Sequence, residues 1–331
     1  MTLDPGTYAA QPPSTTPAQA RREPFADGRL EFTHYGAAGW KITDGRSTVL
    51  LDPYFTRLRY AGKRFGLLPA PSAPGDDRKA YTFDETVPSD TATIDRHIDA
   101  ADYILISHAH FNHCMDMPHI AKKTGAMVLG NYSTTNIARA YGVDGDQLLT
   151  LRGGEDYAFD DISIRAIPSL HSALSDKRYF DAGIVPEDLK GPLPLKAFSE
   201  GGTLAYLVRF PQHEVLLFGS MNYIEREVAG LSPSVILIPA ARPRLQIHRY
   251  TERLLSATQF PRTVVATHWD IQTFPYGANQ ALALEQAGTF LDEVRDVHPQ
   301  AQLVLPLHFE TFSVLPDGSV QTAKAVASTL E

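Results

Sequence analysis

Short apolar runs, bounded by turn residues and separated by amphipathic stretches, follow one another from residue 30 to the end of the chain. Runs of this kind predict strands. The predicted strands lie at 30–34, 39–43, 48–51, 103–106, 127–129, 162–167, 203–210, 215–218, 235–238, 263–267 and 302–305. The first three form a predicted meander, because the turn pair Asp44-Gly45 separates two of them.

Helices are predicted between several of these runs. Asp116 is a candidate N-cap for a helix that ends at Gly125, and Ser133 is a candidate N-cap for a helix that ends at Tyr141. Two more helices are predicted at 248–259 and 278–297, the second with apolar residues at helical spacing. This alternation predicts an α/β domain in which two sheets lie between helical layers. The proline-rich residues 55–100 are predicted to form an irregular binding loop or excursion.

Composition and charge narrow the classes of function. The chain has 30 basic and 38 acidic residues, and the resulting net charge of −8 argues against a nucleic-acid partner. No apolar run is long enough for a membrane span, and no secretory signal is recognised, so a cytoplasmic location is expected. Residues 1–26 are rich in proline and small polar residues, which predicts a flexible tail or a strap, with 27–331 as a single domain.

Histidines are concentrated where strands end. His108 and His110 directly follow a predicted strand and, being two residues apart, project to the same side of extended backbone. His113 follows in the next turn, and His171 and His268 come shortly after two later strands. Open α/β sheets place their ligands at the carboxyl ends of strands, and neutral imidazole suits zinc, iron, copper or nickel. The pattern therefore predicts a metal site.

These residues resemble the metallo-β-lactamase superfamily. Its H-x-H-x-D-H motif is matched by His108-Ala109-His110-Phe111-Asn112-His113, and its later single ligands by His171 and His268. The resemblance extends over about residues 30–310 and is closest to the branch of ascorbate-6-phosphate lactonase and N-acylphosphatidylethanolamine phospholipase. It implies a four-layer αβ/βα sandwich of two mixed sheets flanked by helices. It also implies a three-imidazole site at His108, His110 and His171.

The chain departs from this family at two carboxylates. Asn112 stands where the motif has Asp, and the segment Gly219-Ser220-Met221-Asn222 offers only neutral groups where a bridging Asp is expected. The second metal position thus retains His113, His268 and the weak amide oxygen of Asn112. We expect one zinc ion, with iron or manganese as alternatives, and a second site that is weak or empty.

The implied activity is a metal-dependent hydrolysis of a small ester, lactone, amide or phosphoester by an activated water. Without the motif carboxylate, the candidate proton acceptors are His113, His268, Asp116 and Asp270. Asp116 has the alternative role of helix N-cap. Asp270 has the alternatives of orienting a ligand or of simply following a strand.

Basic loops are the candidate substrate-binding elements. Arg57 and Arg59 lie in one predicted loop, and Arg242 and Arg244 in another. In an acidic protein such groups could hold a substrate carboxylate or phosphate, although solvated loops with ordinary charge scatter have the same composition. Residues 172–200, directly after a candidate ligand, are predicted to form a lid or wall.

Two other functional classes remain open from the sequence. A three-histidine site can hold Fe(II) and support redox chemistry on the same fold. A descendant that lost both carboxylates can instead bind a metal or ligand without catalysis. The expected partner is a small-molecule substrate, with no nucleic acid and no membrane span, and an oligomer is compatible with the sequence.

Overall fold

Two β-sheets form the centre of the computed structural model, which describes residues 22–61, 71–174 and 177–322. The strands are β1 (Leu30–Gly36), β2 (Gly39–Thr43), β3 (Thr48–Leu51), β4 (Arg59–Tyr60), β5 (Ala80–Tyr81), β6 (Tyr103–Leu105), β7 (Met127–Gly130), β8 (Leu148–Thr150), β9 (Asp156–Ala158), β10 (Ser163–Ser169), β11 (Thr203–Phe210), β12 (His213–Phe218), β13 (Val235–Pro239), β14 (Thr263–Thr267), β15 (Gln302–Val304), β16 (Thr311–Val314) and β17 (Val320–Thr322). The α-helices are α1 (Thr91–His97), α2 (Phe111–Cys114), α3 (Met117–Thr124), α4 (Tyr132–Ala140), α5 (Glu225–Val228), α6 (Tyr250–Ala257) and α7 (Ala281–Val297).

Both sheets are mixed. Within the described residues, the first has the order β17-β16-β1-β2-β3-β6-β7-β8 and the second the order β15-β14-β13-β12-β11-β10-β9. In the first, β1 to β3 pair antiparallel and β3, β6, β7 and β8 pair parallel. In the second, β9 to β12 pair antiparallel and β12 to β15 pair parallel.

Successive side chains of a strand are buried on opposite faces of the sheet, either between the two sheets or against the helices. In β3, Val49 and Leu51 face the second sheet, whereas Leu50 packs with residues of helices α1, α3 and α4. In β12, Leu217 lies between the sheets, whereas Leu216 packs with residues of α6 and α7. Because successive residues of a strand point to opposite faces, each sheet buries both of its faces. The predicted αβ/βα sandwich of two mixed sheets between helical layers is confirmed.

Several predicted elements are confirmed within one to three residues of their ends. The strands 39–43, 48–51, 203–210 and 263–267 match their predictions at both ends. Gly125 ends α3 in a left-handed conformation, with a φ of 73°. Asp116 lies at the predicted N-cap position of α3, but its side chain makes no capping bond. The second N-cap prediction is wrong, because Asn131 rather than Ser133 caps α4 by accepting from the Thr134 amide.

The segment 55–100 is less irregular than predicted. Asp90 caps helix α1 by accepting a hydrogen bond from the Thr93 amide, and β4 pairs with β5. Of the predicted tail, residues 1–21 lie outside the described part of the chain. Residues 22–26 lie on the domain, where Arg22 binds Asp102 and the Phe25 amide donates to the Asp44 carbonyl. None of the helices in the described ranges is long and apolar enough to cross a membrane.

Candidate metal centre

Loops that follow five strands meet at one edge of the two sheets. In the first sheet, β3 and β6 run parallel and are followed by Asp52 and by the stretch from Ser107 to His113. In the second sheet, β10, β12 and β14 run in the same direction and lead to His171, Ser220 and His268. Since the carboxyl ends of parallel strands share one edge, the topology brings these side chains together.

His108, His110 and His171 form a cluster of potential metal ligands. Each is buried, and one ligand atom from each lies within 4.8 Å of the other two. Their ring centroids are 4.7 to 4.8 Å apart. The Nε2 atoms of His108 and His110 are buried and have no hydrogen-bond partner among the residues that the structure describes. Buried polar atoms are normally paired, so these orphaned nitrogens and the neutral donor set fit a divalent metal ion.

Hydrogen bonds on the other side of the rings fix their orientation. The Ser107 hydroxyl lies 3.0 Å from Nδ1 of His108, and Nδ1 of His171 lies 2.9 Å from the Ser172 carbonyl. The Nδ1–H of His171 therefore donates to that carbonyl and leaves the Nε2 lone pair free. Such contacts to the remote nitrogen set the tautomer and the angle of a ligating imidazole.

Burial keeps these imidazoles neutral. Desolvation, reinforced by the neighbouring histidines, lowers the pKa of His108 and of His110 well below the ordinary value. Burial also lowers the pKa of His171 to about 4. At neutral pH all three rings are therefore in the uncharged form that binds metals.

A second pair of histidines lies beside this cluster. The rings of His113 and His268 are 5.4 Å apart, and the ring of His113 is 3.9 Å from that of His108. Nδ1 of His113 lies 2.8 Å from the buried Asp52 carboxylate, whereas Nδ1 of His268 has no partner. Burial lowers the pKa of His268 to about 3.

The two neutral replacements have other partners. The Asn112 side chain donates to the Gln272 amide oxygen at 2.8 Å, and the Ser220 hydroxyl accepts from the Ser172 amide at 2.8 Å. Ser220 therefore supports the backbone next to His171. Among the residues that the structure describes, the group able to hold an ion is His108, His110 and His171, and it contains no carboxylate.

Asp52 and Ser107 are site residues that the sequence reasoning did not select. The Asp52 carboxylate accepts from the Ser107 amide at 2.7 Å, from the Ser107 hydroxyl at 2.5 Å and from His113. It thereby connects both histidine groups. A Cβ at Gly219 would overlap Ser107 and Asp52, so only glycine fits beside them. The feature of the sequence that could have identified Asp52 is its position directly after a predicted strand, β3 in the structure, which pairs parallel with β6.

Asp116 does not line the cavity next to the histidines, contrary to its candidate role as a base. Its carboxylate is buried and accepts from the Phe55 amide, the Thr56 amide and the Thr56 hydroxyl at 2.6 to 2.9 Å. These three bonds use both oxygens, so Asp116 holds the loop after β3.

Asp270 and Arg57 pair with each other. Arg57 donates to Asp270 at 2.6 Å, and both side chains are almost fully buried. Asp270 also accepts from the Ala37 amide and from His308, while Arg57 donates to the carbonyls of Phe274 and Ile271. Opposite charge holds the pKa of Asp270 well below its usual range despite burial. Arg57, predicted to bind substrate, has its donors engaged inside the protein.

The other three arginines that were predicted to bind substrate are Arg59, Arg242 and Arg244. Arg59 donates to Ser72 and to the carbonyls of Asp76 and Arg78. Arg244 is buried and binds Glu293 and the Ala240 carbonyl. Arg242 is exposed and does not line the cavity.

The cavity itself lies over His110, His113, His171 and His268 and has a volume of about 260 Å³. Leu174 and Phe180 of the predicted lid or wall line it, as does Tyr60 of β4. The ring of Phe180 is 4.9 Å from that of His110. Residues 62–70 and 175–176 lie outside the described ranges.

Curated relatives are similar to part of this chain. A curated "UPF0173 metal-dependent hydrolase" of Heliobacterium modesticaldum is 26% identical over 154 residues, which is 46% of this chain and 51% of that protein. The chain thus matches about half the length of this relative.

Two solved structures share the fold. An isothiocyanate hydrolase from Delia radicum gut bacteria has a TM-score of 0.51 at 13% identity, over 85% of this chain and 98% of the other. CmlA, a diiron β-hydroxylase from Streptomyces venezuelae, has a TM-score of 0.50 at 15% identity, over 88% and 55%. A model of the "Beta-lactamase superfamily domain" matches residues 31–268. The chain therefore belongs to the β-lactamase superfamily, and its sandwich of two mixed sheets is the metallo-β-lactamase fold.

Proposed function

We propose that this protein is a metal-dependent hydrolase with one metal ion, zinc in the first instance, at His108, His110 and His171. The observation that carries the proposal is the convergence of three buried, neutral imidazoles, two of which have an Nε2 atom without a partner. A divalent ion with three protein ligands and an open position would supply an electrophile and lower the pKa of bound water toward neutrality.

His113 is the proton acceptor in this proposal. Its Nδ1–H donates to the buried Asp52 carboxylate, so Nε2 carries the lone pair, and the ring lines the cavity. Asp52 fixes the tautomer of His113 that is protonated on Nδ1, as a carboxylate that orients a catalytic base does. His268 is the poorer candidate, because burial lowers its pKa to about 3. Asp116 and Asp270 are occupied by structural contacts.

The missing carboxylates favour one metal over two. The second position offers His113, His268 and Asn112, and Asn112 is engaged with Gln272. Two imidazoles without an anionic ligand make a weak site for zinc. The proposal includes a cytoplasmic location and a small-molecule substrate.

The test is metal content together with hydrolysis. The purified protein should bind about one zinc ion per chain and hydrolyse members of a panel of simple esters, lactones, amides and phosphoesters. Chelation should abolish turnover, and zinc should restore it. His108→Ala and His110→Ala should lose both metal and turnover, whereas the exposed His248→Ala should retain both. Hydrolysis that survives chelation, or that persists in His108→Ala and His110→Ala, would contradict the proposal.

Metal analysis also separates the alternatives. Bound iron or manganese with oxygen consumption in place of hydrolysis would favour the redox function on the same fold. Metal binding without turnover on any of these substrates would favour a binding protein.

A further inference from the structure

Apolar side chains form most of the cavity wall next to the three-histidine cluster. Those that carry the inference are Tyr60, Phe111, Leu174, Phe180, Met221 and Ile271. Phe111, Phe180 and Met221 are each at most 6% exposed, so they present a fixed surface rather than mobile side chains. With a volume of about 260 Å³, this cavity has room for a small substituent.

No lysine or arginine lines this cavity in the part of the chain that the structure describes. The nearby cations are engaged elsewhere: Arg57 binds Asp270 and two carbonyls, and Arg59 donates to Ser72 and to two further carbonyls. The lining carboxylate of Asp270 is itself paired with Arg57 and His308. Apart from a metal ion at the three histidines, the described residues of the wall therefore offer neither an unpaired cation nor an unpaired anion to a charged substituent.

The polar groups of the wall are neutral. Asn112 and Gln272 line the cavity and hydrogen-bond each other, and Ser172 and Thr273 line the same cavity. Amides and hydroxyls can bind an uncharged polar group such as an ester or amide dipole. A carboxylate or phosphate on a substituent that points away from the metal would lose its hydration without an ion-pair partner among the described wall residues, which is strongly unfavourable.

We propose that the substrate places an uncharged, apolar substituent in this cavity, so that the enzyme acts on small neutral carboxylic esters, lactones or amides. Compounds whose substituent carries a carboxylate or phosphate are excluded. This inference rests on the proposed function, because it names the substrate class of the same centre. It reverses the expectation of a basic, anion-binding pocket.

The experiment uses two substrates of equal length that differ at one end. 4-Nitrophenyl hexanoate ends in a methyl group, and mono-4-nitrophenyl adipate ends in a carboxylate. We expect kcat/KM, each corrected for the uncatalysed rate, to be at least about tenfold higher for the hexanoate, which corresponds to the loss of about 1.4 kcal/mol of binding in the transition state. Equal values, or a preference for the adipate, would overturn the inference.

A binding measurement separates this inference from the proposed function. Hexanoyl hydroxamate and adipoyl monohydroxamate differ in the same way, and their affinities are measured by calorimetry on the metal-loaded protein. Tighter binding of the hexanoyl compound without turnover of either ester would reject the hydrolase while supporting the apolar cavity. Turnover of both esters with tighter adipoyl binding would reject the cavity inference alone.

A positive charge inserted in the cavity wall tests the same inference, with a variant of equal charge outside the cavity as its control. Ile271→Lys places a cation at a half-buried wall position and should shift the hexanoate-to-adipate ratio toward the adipate by about tenfold or more. Leu282→Lys adds the same charge at a position that is 59% exposed, outside the cavity, and should keep the original ratio. An unchanged ratio in a folded, metal-replete Ile271→Lys protein would contradict the inference.

Discussion

At the scale of single residues, the site depends on which groups are neutral. The three clustered imidazoles are kept uncharged by burial, and the Asp52 carboxylate hydrogen-bonds His113 and Ser107. Asn112 and Ser220 contribute an amide and a hydroxyl where the family pattern has carboxylates. A cation bound to this cluster would therefore keep most of its positive charge, which favours an anionic transition state in an apolar cavity.

Asn112→Asp should create a stronger second metal position. The new carboxylate adds an anionic ligand to His113 and His268, so we expect affinity for a second zinc to rise at least about tenfold. Zinc titration with elemental analysis measures the stoichiometry. Asn112→Ser removes the amide without adding charge and should leave the protein with one ion. A second site equally weak in Asn112→Asp would show that the carboxylate is not what the position lacks.

Residue roles were predictable only where spacing decides them. The five histidines were found because they follow strands, a feature of local sequence. The contacts of Arg57 and Arg244 were not predictable, because their partners lie far along the chain: Arg57 pairs with Asp270, and Arg244 pairs with Glu293. Composition shows a basic loop but not whether its charges face solvent, substrate or the interior.

At the scale of elements, close approach of two loops governs the site. Gly219 follows β12 and passes so near Ser107 and Asp52 that no side chain fits. This contact joins the second sheet to the first at the edge that carries the clustered histidines. The buried ion pair of Arg57 and Asp270 also joins the two sheets, because Arg57 follows β3 of the first sheet and Asp270 follows β14 of the second.

Gly219→Ala should destabilise the fold, because its methyl group would overlap Ser107 and Asp52. We expect a loss of about 1–3 kcal/mol, measured by urea unfolding of the metal-free protein. Gly288→Ala is the matched control: it lies in α7 with open space around the added methyl group, and it should stabilise by about 0.5–1 kcal/mol. Equal effects at the two positions would show that the contact at Gly219 is not tight.

Arg57→Leu should cost about 3–5 kcal/mol of unfolding free energy, because it leaves the Asp270 carboxylate buried without its ion pair. The exposed pair of Arg295 and Asp292 provides the comparison, and Arg295→Leu should cost less than about 1 kcal/mol. Denaturant unfolding of both variants gives the two values. A small effect in Arg57→Leu would mean that water or another group replaces the guanidinium.

Strands with a strong apolar pattern were predictable, and weak ones were not. β11 and β14 are buried along most of their length, and their bounds follow from the sequence. Helix α1 and strand β9 carry few apolar residues, and β9 is exposed throughout. Such elements form because neighbours supply caps and pairing, which a local pattern does not reveal.

At the scale of the whole molecule, buried neutral histidines make stability depend on pH. His34 is buried against Trp40 and Trp269, and burial lowers its pKa from 6.5 to about 4. As the pH falls, the unfolded chain takes up the proton first. The stability conferred by neutral His34 is therefore complete above pH 6.5 and is lost progressively down to about pH 4.

His34→Phe should reduce this pH dependence. The substitution removes one titrating group, so the decrease in unfolding free energy between pH 6.5 and about pH 4 should be smaller than in the unsubstituted protein by about 3 kcal/mol. Urea unfolding at several pH values, in the presence of a chelator, measures the slope. An unchanged slope would show that His34 is already protonated in the folded state or reaches water.

The overall architecture was the most predictable level, because alternation of strands and helices and the spacing of histidines both act along the chain. The charge of the cavity was the least predictable, because it is set by ion pairs between distant loops. The proposed single metal site at the edge of the two sheets depends on both features.

The most direct test is anomalous diffraction at the zinc edge from crystals of the zinc-loaded protein. We predict one strong peak at about 2.0–2.1 Å from an Nε2 atom of each of His108, His110 and His171, and no peak of comparable height between His113 and His268. No peak at the three histidines, or two peaks of equal height, would contradict the single-metal centre.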